Sequence, residues 1–223
     1  MVLFDFGGTL DADGIHWAPR FYAAYQTAGG EVAYPQFESV FRATDGVLER
    51  DPRVRTMGFR ALIDAQALLL RDRLADGAGV DAAQIATLFH ADAVAVIARN
   101  RAMLARLSTR YRLGIVSNFA GNLEPCLNEL DIRRYFTVAA DSAVVGIAKP
   151  DPRIFQGVLA ELDVLPARAW MVGDNFETDI RPAGALGMRT CWLAALDRPV
   201  PKNAAPTARI ARLTDLEGAL CTD

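Results

Sequence analysis

Asp5 closes a short apolar run, Met1-Val2-Leu3-Phe4, and a glycine pair, Gly7-Gly8, follows one residue later. Such a run reads as a buried strand that carries its last residue to the carboxyl edge of a sheet, with the glycines turning the chain beyond it. That edge is where open α/β sheets bind ligands. No lysine or arginine adjoins Asp5 in the sequence. A carboxylate so placed can attack an electrophile, ligate a metal, or do both; it can also simply cap the turn. The arrangement repeats along the chain. Ser117-Asn118 closes Arg112-Leu113-Gly114-Ile115-Val116, and Gly173-Asp174 closes Ala169-Trp170-Met171-Val172. Lys149-Pro150 lies between those two runs, and Asp179 opens the segment after the second.

Parallel strands of one sheet would bring Asp5, Ser117 and Asp174 to the same edge. Two carboxylates meeting there need a cation between them, or one must take up a proton. Oxygen donors suit Mg²⁺, which binds through one or two carboxylates, water and substrate phosphate. The Ser117 hydroxyl and backbone N–H groups at a helix start can hold phosphate oxygens. Lys149 can neutralise a nucleophile and a transferring group together. Lysine occurs only at 149 and 202, while arginine supplies the other 22 of the 24 basic residues. A chain that otherwise uses arginine keeps Lys149 for its compact, pKa-adjustable ammonium.

The elements that must position these groups follow from periodicity. After the turn at Asp11-Ala12-Asp13-Gly14, the pattern is helical from about Trp17 to Asn100. Trp17, Phe21, Ala24 and Ala28 share one face, and Gly29-Gly30 stops that helix. Phe37, Val40, Phe41 and Thr44 follow Pro35, a first-turn proline. Phe59, Leu62, Ile63, Gln66, Leu69, Leu70 and Leu74 make a third stripe. Asp81-Ala82-Ala83-Gln84 resembles a capping box, and Ile85, Leu88, Phe89, Ala93, Val96 and Ile97 follow it. Four such helices with short connections predict a small bundle, in which Trp17, Phe21, Phe59 and His90 are packing residues. Strands then alternate with helices: a helix near Ala102–Thr109, the strand ending at Ser117, a helix near Leu123–Leu130, a strand at Phe136–Ala140, a helix from Pro152, the strand ending at Gly173, a helix near Asp179–Leu186, a strand at Arg189–Leu193, and a terminal strand and helix around Arg209–Leu220. This alternation predicts a parallel sheet with right-handed crossovers. The expected division is a core of residues 1–14 and 101–223 and a four-helix cap of residues 15–100.

Taken together, these segments resemble the haloacid dehalogenase-like (HAD) hydrolase superfamily, mostly phosphatases with an aspartate nucleophile. The matching pieces are Val2-Leu3-Phe4-Asp5-Phe6-Gly7-Gly8-Thr9-Leu10, Ile115-Val116-Ser117-Asn118, Ile147-Ala148-Lys149-Pro150-Asp151, and Met171-Val172-Gly173-Asp174-Asn175-Phe176-Glu177-Thr178-Asp179. The resemblance spans essentially the whole chain. It implies an α/β fold with a Rossmann-like parallel sheet core and an inserted α-helical bundle cap. It also implies that Asp5 attacks phosphorus to form an aspartyl-phosphate and that Asp5, the main-chain carbonyl of Gly7 and Asp174 hold Mg²⁺, with Asp179 close behind. Thr9 and Ser117 would steady the phosphoryl group of a small phosphorylated substrate and Lys149 would anchor it, while Asn118 would orient the loop or bind through its backbone.

Gly7 departs from the pattern. Phosphatases of the superfamily carry there a second aspartate that protonates the leaving group and later activates water. Loss of a general acid/base costs on the order of 10²–10⁴ in rate, whereas a carbonyl ligand survives in glycine. The expected enzyme is a Mg²⁺-dependent phosphatase of weak or leaving-group-selective turnover, in which Gly7→Asp raises alkyl-phosphate turnover. The alternatives are a non-catalytic descendant that binds a phosphorylated ligand or a protein, and a metal-independent haloacid dehalogenase. Phosphonoacetaldehyde hydrolase chemistry is excluded, because the cap holds no lysine for a Schiff base. A replacement acid could come from His16, Asp11, Asp13 or water. Arg50, Arg53 and Arg55 could read an anionic leaving group from a loop between cap helices, or form a solvated charge run.

Composition sets outer bounds. A net charge of −3 gives no basic footprint for nucleic acid. No apolar run approaches the roughly 20 residues of a membrane span. The chain opens directly on a strand, so no signal peptide is expected. Cys126, Cys191 and Cys221 are few, odd in number and without metal spacing, which predicts a reducing cytoplasm and no zinc site. Nothing in the sequence specifies an oligomeric state.

Overall fold

The computed structural model describes residues 1–201 and 205–221; Lys202 lies outside the described residues. Six parallel strands form one sheet: β1 (Val2–Phe4), β2 (Leu113–Ser117), β3 (Val138–Asp141), β4 (Trp170–Gly173), β5 (Arg189–Leu193) and β6 (Ala208–Ile210). Their order is β3-β2-β1-β4-β5-β6. The connections therefore run one way from β1 to β3 and the other way from β4 to β6. That reversal beside β1 opens a crevice at the carboxyl ends of the strands.

The described helices are α1 (Trp17–Thr27), α2 (Tyr34–Leu48), α3 (Phe59–Arg73), α4 (Ala82–Arg110), α5 (Leu123–Glu129), α6 (Ser142–Val145), α7 (Arg153–Glu161), α8 (Arg181–Ala185) and α9 (Leu216–Leu220). The fold is α/β with a Rossmann-like core, as the alternation of patterns anticipates. The sheet is covered on both faces, so its central strands are apolar throughout. Val2 and Phe4 of β1 face a cluster that includes Leu104, Leu107, Leu127 and Leu216, while Leu3 faces Ile154, Phe155 and Val158 of α7.

The insert after β1 contains α1–α4. Helix α1 packs on α2 and α4, and α3 packs on α2 and α4. Their apolar stripes meet in one cluster with the sheet, with Phe21 stacked on Phe89 at 4.1 Å between ring centroids. Phe21 and Phe59 are fully buried, as expected of bundle core.

Several elements differ from the sequence pattern. The helices expected after Asp81 and near Ala102–Thr109 are a single helix, α4. Nothing between Ile97 and Ala102 breaks a helix, and the buried stripe Ala93, Ile97, Asn100, Leu104, Leu107 continues through it. What changes near Asn100 is the packing partner, from helix to sheet, and that change mimics a boundary. The Asp81 side chain does cap α4, accepting from Ala83 N at 2.8 Å. The helix expected from Asp179 is preceded by one π-helical turn, Phe176–Ile180, with Pro182 in the first turn of α8.

The loop after β1 is tied to the insert and to the core. Gly14 N donates to Gly8 O at 2.9 Å, closing the loop on itself. Asn100 of α4 donates to Leu10 O at 3.0 Å, and Arg99 pairs with Asp13 at 2.6 Å. Arg20 of α1 bridges Asp11 and Asp92 at 2.7 and 3.0 Å. Among the described residues, no helix is long and apolar enough to cross a membrane.

Candidate active site

Asp5 stands one residue past β1, and its N–H still donates to Val172 O of β4 at 2.9 Å. The ladder therefore fixes its backbone, and the carboxylate projects from the carboxyl edge. Ser117, the last residue of β2, donates its hydroxyl to Asp5 Oδ1 at 3.0 Å. The Lys149 ammonium donates to the same oxygen at 2.6 Å and to Asp179 Oδ1 at 2.7 Å. Asp174 stands one residue past β4, with its backbone carbonyl accepting from Trp192 Nε1 at 2.9 Å. The sheet edge thus gathers Asp5, Ser117, Lys149, Asp174 and Asp179.

Lys149 is 5 % exposed. Burial alone would push its pKa down, but Asp179 and Asp5 outweigh that and hold it above its ordinary value. Asp174 moves the other way. Burial, then the charges of Asp5 and Asp179, raise its carboxyl well above the usual carboxylate range. Asp179 is raised by burial too, and Lys149 opposes the shift. One ammonium among three buried carboxylates leaves the cluster short of positive charge.

Ligand oxygens of Asp5, Asp174 and Asp179 all lie within 4.8 Å of one another. The donor set is hard and anionic, and the repulsion that raises Asp174 is what a small divalent cation would relieve. These residues therefore fit Mg²⁺. Two glycines permit the crowding. A Cβ on Gly8, whose φ is +90°, would fall 2.7 Å from Asp174 Oδ2, and one on Gly173 would fall 2.3 Å from Asp179 Oδ2.

The Thr9 side chain, expected at the phosphoryl group, is engaged elsewhere, while Asn118 orients its loop. The Thr9 hydroxyl donates to Asp174 Oδ1 at 3.2 Å and accepts from Asp174 N at 3.1 Å, so it locks the Asp174 loop instead of facing the cleft. Asn118 clamps the Lys149 backbone, donating to its carbonyl at 2.9 Å and accepting from its N–H at 2.8 Å. Among the candidate acids, Asp11 is fully buried beneath Gly8, Trp17 and Arg20, and Asp13 is held by Arg99 and Leu213 N. Neither lines the cleft. His16 does line it. The residue is exposed overall, yet desolvation lowers its pKa against the pull of Asp5 and Asp11.

The cleft continues from Asp5 to the insert, where Phe41, Asp45, Leu48, Glu49, Leu62 and Gln66 complete its wall. Asp45 and Glu49, the C-cap of α2, are not among the motif residues of the sequence, and only their spacing of four could have put them on one face. Arg50, Arg53 and Arg55 do not line the cleft; Arg53 is paired instead with Asp51 at 2.6 Å. Asp141, at the end of β3, is a further buried strand-end carboxylate, but it is spent on the N–H groups of Gly121, Leu123 and Ala143.

A profile of the haloacid dehalogenase-like hydrolases matches residues 1–187. The chain belongs to this family. It is 35% identical over 121 residues to the pyrimidine 5'-nucleotidase YjjG of Escherichia coli, covering 53% of this chain and 54% of that one. It is 38% identical over 85 residues to a phosphoserine phosphatase of Thermus thermophilus, covering 38% of this chain and 34% of that one. The chain thus spans about half the length of the first relative and a third of the second. Among solved structures, a dehalogenase with an intermediate complex superposes with a TM-score of 0.67 at 21% identity, covering 100% of this chain and 97% of that one. The HAD hydrolase YfnB of Bacillus subtilis, bound to magnesium, superposes with a TM-score of 0.60 at 18% identity, covering 99% and 97%. At these identities the likeness is one of fold. Family and relatives together make the chain a HAD-like hydrolase with phosphatase and nucleotidase homologues.

Proposed function

We propose that this chain hydrolyses small phosphate monoesters, with Asp5 as the nucleophile and Mg²⁺ as cofactor. The observation that carries the reading is the placing of Asp5: one oxygen is pinned by Ser117 and Lys149, and Asp174 and Asp179 stand within ligand distance of the same carboxylate. Asp5, Asp174 and the Gly7 carbonyl would hold the metal, with Asp179 behind them. When bound, Mg²⁺ would neutralise charge on the phosphoryl oxygens and shield the nucleophile from its like-charged neighbours.

The protein's own groups do the rest. Asp5 attacks phosphorus while the bond to the ester oxygen breaks, leaving an aspartyl-phosphate and an alkoxide that takes its proton from water. Lys149 holds Asp5 Oδ1 at 2.6 Å and offers positive charge to the transferring group. Ser117 fixes the attacking carboxylate and lies close enough to reach a phosphoryl oxygen. Thr9 and Asn118 act as positioning residues, the first on Asp174 and the second on Lys149. Water then cleaves the acyl phosphate. Residues 15–100 would serve as a cap whose inner wall selects the leaving group. The free thiols Cys126, Cys191 and Cys221 fit a reducing, cytoplasmic setting.

Gly7 provides no proton for the departing alcohol. Phosphate release is therefore expected to be Mg²⁺-dependent, abolished in Asp5→Asn, and faster from p-nitrophenyl phosphate than from an alkyl phosphate. Equal rates on the two esters would reveal an efficient acid. Release of chloride from 2-haloacids without metal would replace this reading with dehalogenation.

A further inference from the structure

The two ends of the cleft differ in chemistry. At the sheet edge stand the groups suited to a phosphoryl group. At the far end α2 and α3 present Asp45, Glu49 and Gln66. Asp45 is on α2 and Glu49 caps its C-terminus four residues later in helical backbone, so their carboxylates lie on one side and repel each other. Among the described residues, no ion pair includes either. Burial, and then the charge of Glu49, push the Asp45 carboxyl up to about 6. Among the described residues that line the cleft, the basic ones are Lys149 and His16. Lys149 is committed to Asp5 and Asp179, and His16 has its pKa lowered by desolvation.

Gln66 gives an independent indication. It is 1 % exposed, and its amide nitrogen donates to Thr44 Oγ1 at 3.0 Å. Its Oε1 has no partner within the protein. A buried acceptor left unpaired costs stability unless something else donates to it. Two carboxylates and a free amide oxygen therefore make a wall of acceptors, beside the apolar side chains of Phe41 and Leu62.

We propose that Asp45, Glu49 and Gln66 form a subsite for a protonated amine, so that the preferred substrate is the phosphate monoester of an amino alcohol. This rests on the phosphatase reading above. An ammonium carries three donors and a positive charge, which answers all three groups at once. A carboxylate or second phosphate at this end would meet two like charges, and an alkyl group would leave the acceptors unpaired. The same ammonium withdraws electrons from the ester oxygen a few bonds away. The alcohol then departs with less need of a proton, which suits a site with glycine at position 7.

The test compares aminoalkyl phosphates of two to four carbons with carboxyalkyl phosphates of matched length, with p-nitrophenyl phosphate as a reference and Mg²⁺ present. The ammonium ester of best-fitting length is expected to show at least tenfold higher kcat/KM than its carboxylate counterpart. In Asp45→Asn/Glu49→Gln that preference is expected to collapse toward unity. Turnover of p-nitrophenyl phosphate without an ammonium preference, or a preference that survives the double substitution, overturns this inference and leaves the phosphatase reading standing. Absence of turnover on every ester overturns both. Thermal melting of the double variant, expected to be no lower than that of the parent, checks that a lost preference does not reflect a lost fold.

Discussion

Trp17 occupies the room that a side chain on Gly7 would need. Its Nε1 lies 3.2 Å from where a Cβ on Gly7 would stand, and its Cε2 lies 3.5 Å away. The indole is gripped by rings of Phe59, Phe89 and Phe119 at 6.0, 5.3 and 5.9 Å, and its N–H donates to Asp11 at 2.8 Å. The sequence alone leads one to expect that Gly7→Asp restores a lost acid. The packing argues otherwise for the single substitution. Overpacking at such a contact costs about 1–3 kcal/mol, so Gly7→Asp is expected to melt earlier and to gain little on alkyl phosphates. Adding Trp17→Phe frees part of the space, and the double variant is expected to hydrolyse alkyl phosphate faster than Gly7→Asp. Melting curves and initial rates on the two variants check this; a stable and fast single variant would mean that the indole yields freely.

Asp11 can be separated from the catalytic carboxylates. It accepts from Gly8 N at 2.7 Å, from Trp17 Nε1 at 2.8 Å and from Arg20 Nη1 at 2.7 Å, with no exposure of its own. Removing one partner of a buried ion pair costs about 3–5 kcal/mol, so Asp11→Ala is expected to destabilise severely by leaving the buried Arg20 with only the exposed Asp92. Asp11→Asn keeps the shape. Its ratio of p-nitrophenyl to alkyl phosphate turnover is expected to match that of the parent protein. A changed ratio would make Asp11 a proton donor after all.

The sheet and its edge residues were legible because β1, β2 and β4 each end in an abrupt change of residue type. Asp5, Ser117 and Asp174 follow apolar runs, and parallel pairing brings such ends together. The use of Thr9 was not legible, and the loop-orienting role expected of Asn118 came without its partner, since a hydroxyl or an amide in a loop gives no sign of which neighbour it will bond. The cap wall was hidden for a different reason. Asp45 and Glu49 look like the solvated face of an amphipathic helix, and only the approach of α2 to the cleft makes the half-buried Asp45 and the exposed Glu49 part of its wall. The boundary expected near Asn100 failed because apolar spacing does not register a change of partner along one straight helix.

Lys149 is the cation that bridges the like-charged carboxylates of Asp5 and Asp179. Lys149→Met is expected to reduce kcat/KM on p-nitrophenyl phosphate on the order of 10³, comparable to removal of a preorganised donor at a reacting oxygen. Lys149→Arg is not expected to rescue it. A planar fork cannot occupy the place of a point charge that is 2.6 Å from Asp5 and 2.7 Å from Asp179 inside a closed site. Rates of the two variants decide the matter; substantial activity in the arginine variant would show that charge alone suffices.

Asp45 links the cleft to stability through pH. Burial, and secondarily Glu49, raise its carboxyl from 3.8 to about 6 in the folded protein. A group that binds its proton more tightly when folded favours folding while protonated and loses that advantage as pH rises through the folded value. The cost is therefore absent below pH 4, grows between about pH 4 and 6, and is complete above that. A shift of this size caps the effect at about 3 kcal/mol, and the partial exposure of the side chain brings it to about 1–2 kcal/mol. Asp45→Asn is accordingly expected to raise unfolding stability by that amount at pH 8 and to leave it unchanged below pH 4. Urea denaturation at the two pH values measures the difference. An equal effect at both would mean that Asp45 is solvated like a surface carboxylate, and that the helix face it occupies carries no stored repulsion for a ligand to relieve.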